Sequence, residues 1–142
     1  VEVLDDAATL DVLRQARRIA IVGASSNAWR ASNDVMDYLL DHGYDCVPIN
    51  PGETAVHGLT AYPTVVAATE AGGPFEIVDV FRRSELCPPH AEDAVAAGAR
   101  CLWLQLGVVS WEAARIAADG GLAVVMDRCT AIEHRRLGLA GR

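Results

Sequence analysis

Four consecutive apolar residues, Ile19-Ala20-Ile21-Val22, end abruptly in Gly23-Ala24-Ser25-Ser26. A short apolar run without polar alternation is the pattern of a parallel strand covered on both faces. Glycine followed by small hydroxyl residues at its carboxyl end lets backbone amides close around a phosphate where the next helix begins. The feature predicts an α/β domain with an anion site at the end of its first strand.

The rest of the chain repeats that alternation. An opening helix is expected over Ala7–Arg17, with Leu10 and Leu13 inward, then the first strand at Ile19–Val22. A helix over Ser32–His42 carries Val35, Met36, Leu39 and Leu40 at helical spacing and stops at Gly43. Strands are expected at Tyr44–Ile49, Leu59–Tyr62, Glu76–Phe81, Arg100–Gln105 and Leu122–Met126. Helices are expected at Thr64–Glu70, Pro88–Ala97, Ser110–Ala118 and Thr130–Leu137. Strands alternating with helices of about ten residues form right-handed βαβ units. The expectation is one domain over residues 1–142, a Rossmann-like doubly wound parallel sheet in three α/β/α layers.

Composition narrows the chemistry. The net charge is −7, so a nucleic-acid surface, which needs clustered cations, is not expected. All 12 basic residues are arginine. Without lysine there is no Schiff base, no Walker-type phosphate loop and no lysine general base. Cys46, Cys87, Cys101 and Cys129 show no C-x-x-C spacing, and His42, His57, His90 and His134 form no ligand pattern, so no metal site is expected. No run is long enough for a membrane helix, and the acidic start Val1–Asp6 lacks a leader pattern. A cytoplasmic protein acting on a small molecule, with no membrane or nucleic-acid partner, is expected.

Ligands of open α/β sheets bind beyond the carboxyl ends of the strands. Those ends carry Gly23–Ser32, Asn50–Gly52, Phe81–Arg83, Gln105–Gly107 and Asp127–Cys129. A NAD fingerprint needs G-x-G-x-x-G/A and an acid closing the second strand. Here Ser25 and Ala28 replace the later glycines, and the strand ends in Asn50-Pro51. A tight turn with no ligand also fits a single glycine.

Six segments, taken together and in order, resemble the small stand-alone CoA-binding proteins over nearly the whole chain. They are Ile21–Ser26, Trp29–Ser32, Gly43–Pro51, Val78–Arg82, Trp103–Gly107 and Val124–Cys129. A more distant resemblance is to the CoA-binding domain of the succinyl-CoA synthetase α subunit. The resemblance implies a coenzyme A or acyl-CoA site. Gly23, Ala24, Ser25, Ser26 and Asn27 then cradle the diphosphate, and Asn50-Pro51 line the adenosine side. Val80, Phe81 and Arg82 form a wall, and Gln105, Leu106 and Gly107 the floor. The family has a lysine after its Asn-Pro, where this chain has Gly52-Glu53. The cation for the 3′-phosphate then falls to Arg30 first and Arg82 second, since a guanidinium suits phosphate well.

Asp127-Arg128-Cys129 is open to two readings. Asp127 and Arg128 can pair to fix the last helix, or Arg128 and the helix start can give Cys129 thiolate character. Three functions follow: a non-catalytic module that senses, stores or presents CoA; a Rossmann enzyme using NAD(P), or acyl-CoA with Cys129; or an interaction domain with a vestigial nucleotide site. The first is favoured because no complete catalytic set is visible. A homo-oligomer or protein partner is compatible with all three.

Overall fold

Ile19, Ala20 and Ile21 have no solvent-accessible surface, as a strand sandwiched between two helical layers requires. In the computed structural model, which describes residues 1–141, the elements run α1 (Asp6–Gln15), β1 (Arg18–Val22), α2 (Ala31–Asp41), β2 (Asp45–Ile49), β3 (Ala55–Val56) and β4 (Leu59–Thr60). They continue with α3 (Val65–Gly72), β5 (Ile77–Val80), α4 (Cys87–Ala96), β6 (Cys101–Leu104), α5 (Trp111–Asp119), β7 (Ala123–Val125) and α6 (Thr130–Arg136). The main sheet has the order β2-β1-β5-β6-β7 with every neighbouring pair parallel. This is the Rossmann-like α/β/α fold.

Alternate strand residues point to opposite faces, and the two layers divide accordingly. Ile19, Ile21, Ile77, Trp103 and Val125 pack with Leu13 of α1, Met36 and Leu39 of α2 and Ala131 of α6. Ala20, Val22, Val78, Val80, Leu102 and Val124 pack with Val65 of α3, Ala91 and Ala94 of α4 and the alanines of α5. Side-chain caps start three helices: Asp5 accepts from the Ala8 amide, Thr64 from Ala67 and Ser110 from Ala113. Among the described residues no helix is long and apolar enough to cross a membrane.

Element ends fall within two residues of those expected, with two corrections. The strand expected at Leu59–Tyr62 is instead the second arm of a small hairpin, β4 pairing antiparallel with β3, outside the main sheet. Its turn is His57-Gly58, both with positive φ (51° and 74°), the conformation that suits a two-residue hairpin loop. Tyr62 joins the sheet only through a single parallel bridge to Ile49. A 3-10 turn, Ser84–Leu86, also precedes α4, whose early prolines suit a helix start.

Candidate functional site

β1 lies where the direction of sheet growth reverses: α2 carries the chain out to β2 on one face, and α3 returns it to β5 on the other. The carboxyl ends of β1 and β5 therefore part around a crevice, the position at which doubly wound sheets bind ligands. The Gly23 amide donates to Ile49 O at 2.9 Å, and the Phe81 amide to Val22 O at 2.8 Å. Gly23 has φ +84°, and a Cβ there would lie 2.6 Å from Phe81 O. Glycine is what lets the two chains meet at the crevice.

The loop that follows is tied to itself. Ser25 Oγ accepts from the Asn27 amide (3.1 Å), Asn27 Oδ1 from the Trp29 amide (2.9 Å), and Ser25 O from Asn33 Nδ2 (2.9 Å). Asn50 staples this loop to the end of β2: its Nδ2 donates to Ala24 O at 2.8 Å, and its Oδ1 accepts from the Gly52 amide at 2.8 Å. Ser26 donates through both its amide (2.7 Å) and its hydroxyl (3.0 Å) to Glu53 Oε2. Arg30 precedes α2 without a side-chain cap, so the positive end of that helix is left toward the crevice.

The crevice is a cleft of about 760 Å³, within the range of small-molecule sites. Gly23, Ser25, Arg30, Asn50, Phe81, Arg82, Gln105 and Leu106 line it. Six expected residues do not. Ala24 and Val80 have no exposed surface; Val80 points into the layer of α3 and α4 because its strand neighbours alternate. Ser26 is turned to Glu53, Asn27 to its own loop, Pro51 is exposed, and the Gly107 amide donates to Asp127 Oδ1 at 2.6 Å. The lining also includes Ser32 and Val35 of α2, Arg83, Leu86, Val108, and Cys129 and Ile132 at the start of α6. Arg83, Leu86, Val108, Cys129 and Ile132 carried a signal of position, each lying within about two turns of a strand's carboxyl end, whereas Ser32 and Val35 enter from α2, further along the chain.

The electrostatics of the cleft are one-sided. Among the described residues neither Arg30 nor Arg82 has a carboxylate at salt-bridge distance. Arg83 has one exposed partner, Glu85, at 3.6 Å. Gln105, at the floor, is held rather than free: its Nε2 donates to Asp79 Oδ1 (2.7 Å) and to Thr130 Oγ1 (3.1 Å), and Thr130 donates to Asp79 Oδ2 (2.9 Å). Burial pushes the Asp79 carboxyl up to about 7, against the pull of those two hydrogen bonds.

Asp127 and Arg128 do not pair with each other. Asp127 holds the Gly107 amide, while Arg128 Nη1 meets Glu133 at 2.6 Å and Asp6 at 2.7 Å. A longer side chain reaching two acids outcompetes the neighbour, whose φ of +58° turns it elsewhere. Burial raises the Cys129 thiol above its ordinary value despite the Ile132 and Ala131 amides, which opposes thiolate formation. His134 is engaged with Tyr38, at 2.9 Å from Nδ1 to the hydroxyl, and stacks edge-on with His42.

The CoA binding domain family matches residues 17–135. The uncharacterized protein YneT of Bacillus subtilis (strain 168) is 37% identical over 124 residues, 87% of this chain and 90% of that one. A hypothetical protein from Pyrococcus horikoshii OT3 superposes with a TM-score of 0.89 at 38% identity, covering 94% of this chain and 92% of its own. A Thermus thermophilus structure, cell-free ID.343, gives 0.85 at 32% identity, covering 94% and 99%.

Proposed function

The chain belongs to the CoA-binding domain family, and from that premise we propose that the cleft binds coenzyme A or an acyl-CoA as a non-catalytic module. One observation carries the reading: two guanidinium groups without carboxylate partners among the described residues, Arg30 and Arg82, line a cleft at the sheet's reversal point in a chain of net charge −7. Unneutralised cations beside an uncapped helix start suit a diphosphate. Gly23 and Ser25 form the near edge of that anion site, Phe81 and Leu106 offer apolar surface to the rest of the ligand, and Gln105 is the fixed floor. The raised thiol of Cys129 speaks against a nucleophilic role. The reading takes the chain as one CoA-binding domain working in the cytoplasm.

Thermal melting with CoA, NAD and ATP tests it. A ligand that binds only the folded state adds RT ln(1 + [L]/Kd), about 2.7 kcal/mol at a hundredfold excess over Kd. The largest shift is expected with CoA, and Arg30→Ala should weaken binding by about 10- to 150-fold, the range of a charge-assisted hydrogen bond. An equal or larger shift with NAD overturns the assignment.

A further inference from the structure

Gln105 closes the floor of the cleft with an amide whose orientation is fixed from below. Its Nε2 donates to Asp79 Oδ1 (2.7 Å) and to Thr130 Oγ1 (3.1 Å), and Thr130 Oγ1 directs its single proton to Asp79 Oδ2 (2.9 Å). Both hydrogens of the amide nitrogen are thereby used, and both groups that meet it are acceptors. Turning the amide over would set its carbonyl oxygen against a carboxylate and a hydroxyl lone pair. Asp79 and Thr130 have no exposed surface, so water does not screen that conflict. Oε1 is the atom left over. Among the described residues it accepts from no protein group, and the wholly enclosed side-chain oxygens without a partner are those of Thr9 and Thr69. Gln105 lines the cleft, so its free carbonyl oxygen opens there.

Leu106, Val108 and Ile132 line the cleft with Gln105. A ligand that displaces water from this apolar corner must donate to the oxygen or leave it unpaired. The sheet order says which part of the ligand arrives. β6, whose end carries Gln105, stands two strands from β1 on the side away from β2. With the diphosphate over the loop after β1 and the adenosine toward β2, the other arm leaves across β5 and reaches β6. In coenzyme A that arm is pantetheine: past a hydroxyl close to the diphosphate, it is a run of methylenes interrupted by two secondary amides. We propose that Asp79 is a positioning residue which, with Thr130, holds Gln105 so that its carbonyl oxygen accepts from an amide N–H of the pantetheine arm. The inference rests on the CoA reading of the cleft and deepens it, since the site then reads the arm of the ligand as well as its phosphates.

Calorimetric titration at about pH 8.5, where Asp79 is ionised, tests it with CoA and with 3′-phosphoadenosine diphosphate, which keeps the adenosine and the phosphates and lacks the arm. Gln105→Met removes the acceptor at similar volume. It should weaken CoA about fivefold or more, as a donor left unpaired in a site does, and leave the shorter ligand unchanged. Asp79→Asn offers the amide both a donor and an acceptor, so either orientation is open to it. That variant should weaken CoA about two- to tenfold and spare the shorter ligand, while thermal melting shows a fold at least as stable as the native one. Loss of affinity without loss of stability is what separates positioning from a purely structural role. Equal losses for the two ligands, no loss for Gln105→Met, or unchanged CoA affinity in Asp79→Asn overturns the inference and leaves the CoA reading standing. Failure of the folded native protein to bind CoA overturns both.

Discussion

Asp79 sits in the middle of β5 with no exposed surface, and its charge has no cationic partner among its bonded neighbours, only Gln105 and Thr130. Its carboxyl titrates near 7 in the fold, against an ordinary value of 3.8. The folded state therefore holds this proton more tightly than the unfolded chain does. Stability from this residue falls as pH rises from 3.8 to about 7, and is level above that. Asp6 and Glu133 act in the opposite sense. Hydrogen bonds from Arg136 and Arg128 hold both acids down, Asp6 to about 2, so their contribution is lost as pH falls through the range below about 4. Asp79→Asn should abolish the upper slope and leave the lower one, as denaturant midpoints at about pH 2.5, pH 5 and pH 7.5 will show. Persistence of the upper slope would mean that another group carries it. In the sequence Asp79 lies inside the expected strand Glu76–Phe81, where nothing marks its side chain for a role. Gln105 stood out as a polar residue at a strand end, but the register that joins the two residues is not written in either segment.

At the scale of elements, α4 and α5 meet through small side chains: Ala91 and Ala94 on one, Ala113, Ala114 and Ala117 on the other, all without exposed surface. Gly120, just after α5, completes this seam. A Cβ there would lie 2.6 Å from both methyl groups of Val95, a stiff β-branched side chain with little room to yield. Gly120→Ala should destabilise the fold by about 1–3 kcal/mol, the usual range for overpacking. Adding Val95→Ala should recover part of that loss, a coupling that urea denaturation of the single and double variants measures. Gly120-Gly121 reads in the sequence as a helix stop, which it is; that Gly120 is also a contact depends on how closely two helices approach. The strands and helices of the sheet were legible because apolar runs and helical periodicity are local. The β3–β4 hairpin was not, because two residues per arm leave no period to detect. The same division holds for the candidate site. The glycine at Gly23 and the strand ends pointed to the crevice, while Val80 was misplaced because its facing follows from strand alternation within a particular register.

Across the whole molecule, acidic residues outnumber basic ones 19 to 12, yet the cleft is lined by Arg30, Arg82 and Arg83 and, among the described residues, by no acid. The contrast is what an anion-binding cleft in an acidic protein needs for a ligand to be drawn to one place. The parallel sheet has another consequence, for time rather than affinity. In β1, Arg18 pairs with Asp45, 27 positions later, and its backbone amide binds Glu76, 58 positions later. No two neighbouring strands of the sheet are joined by a hairpin, so β1 must wait for distant segments to arrive. Long loops closed before their contacts form make such topologies slow. Trp103 is fully buried in β6 while Trp29 and Trp111 are exposed, so a change in tryptophan emission during refolding reports the sheet's assembly. Stopped-flow refolding should show that change in about milliseconds to seconds, and a submillisecond phase carrying the full amplitude would contradict it. Until that moment the apolar strands at the centre of the chain are exposed together, which makes the interval after synthesis, rather than the finished fold, the period in which aggregation competes.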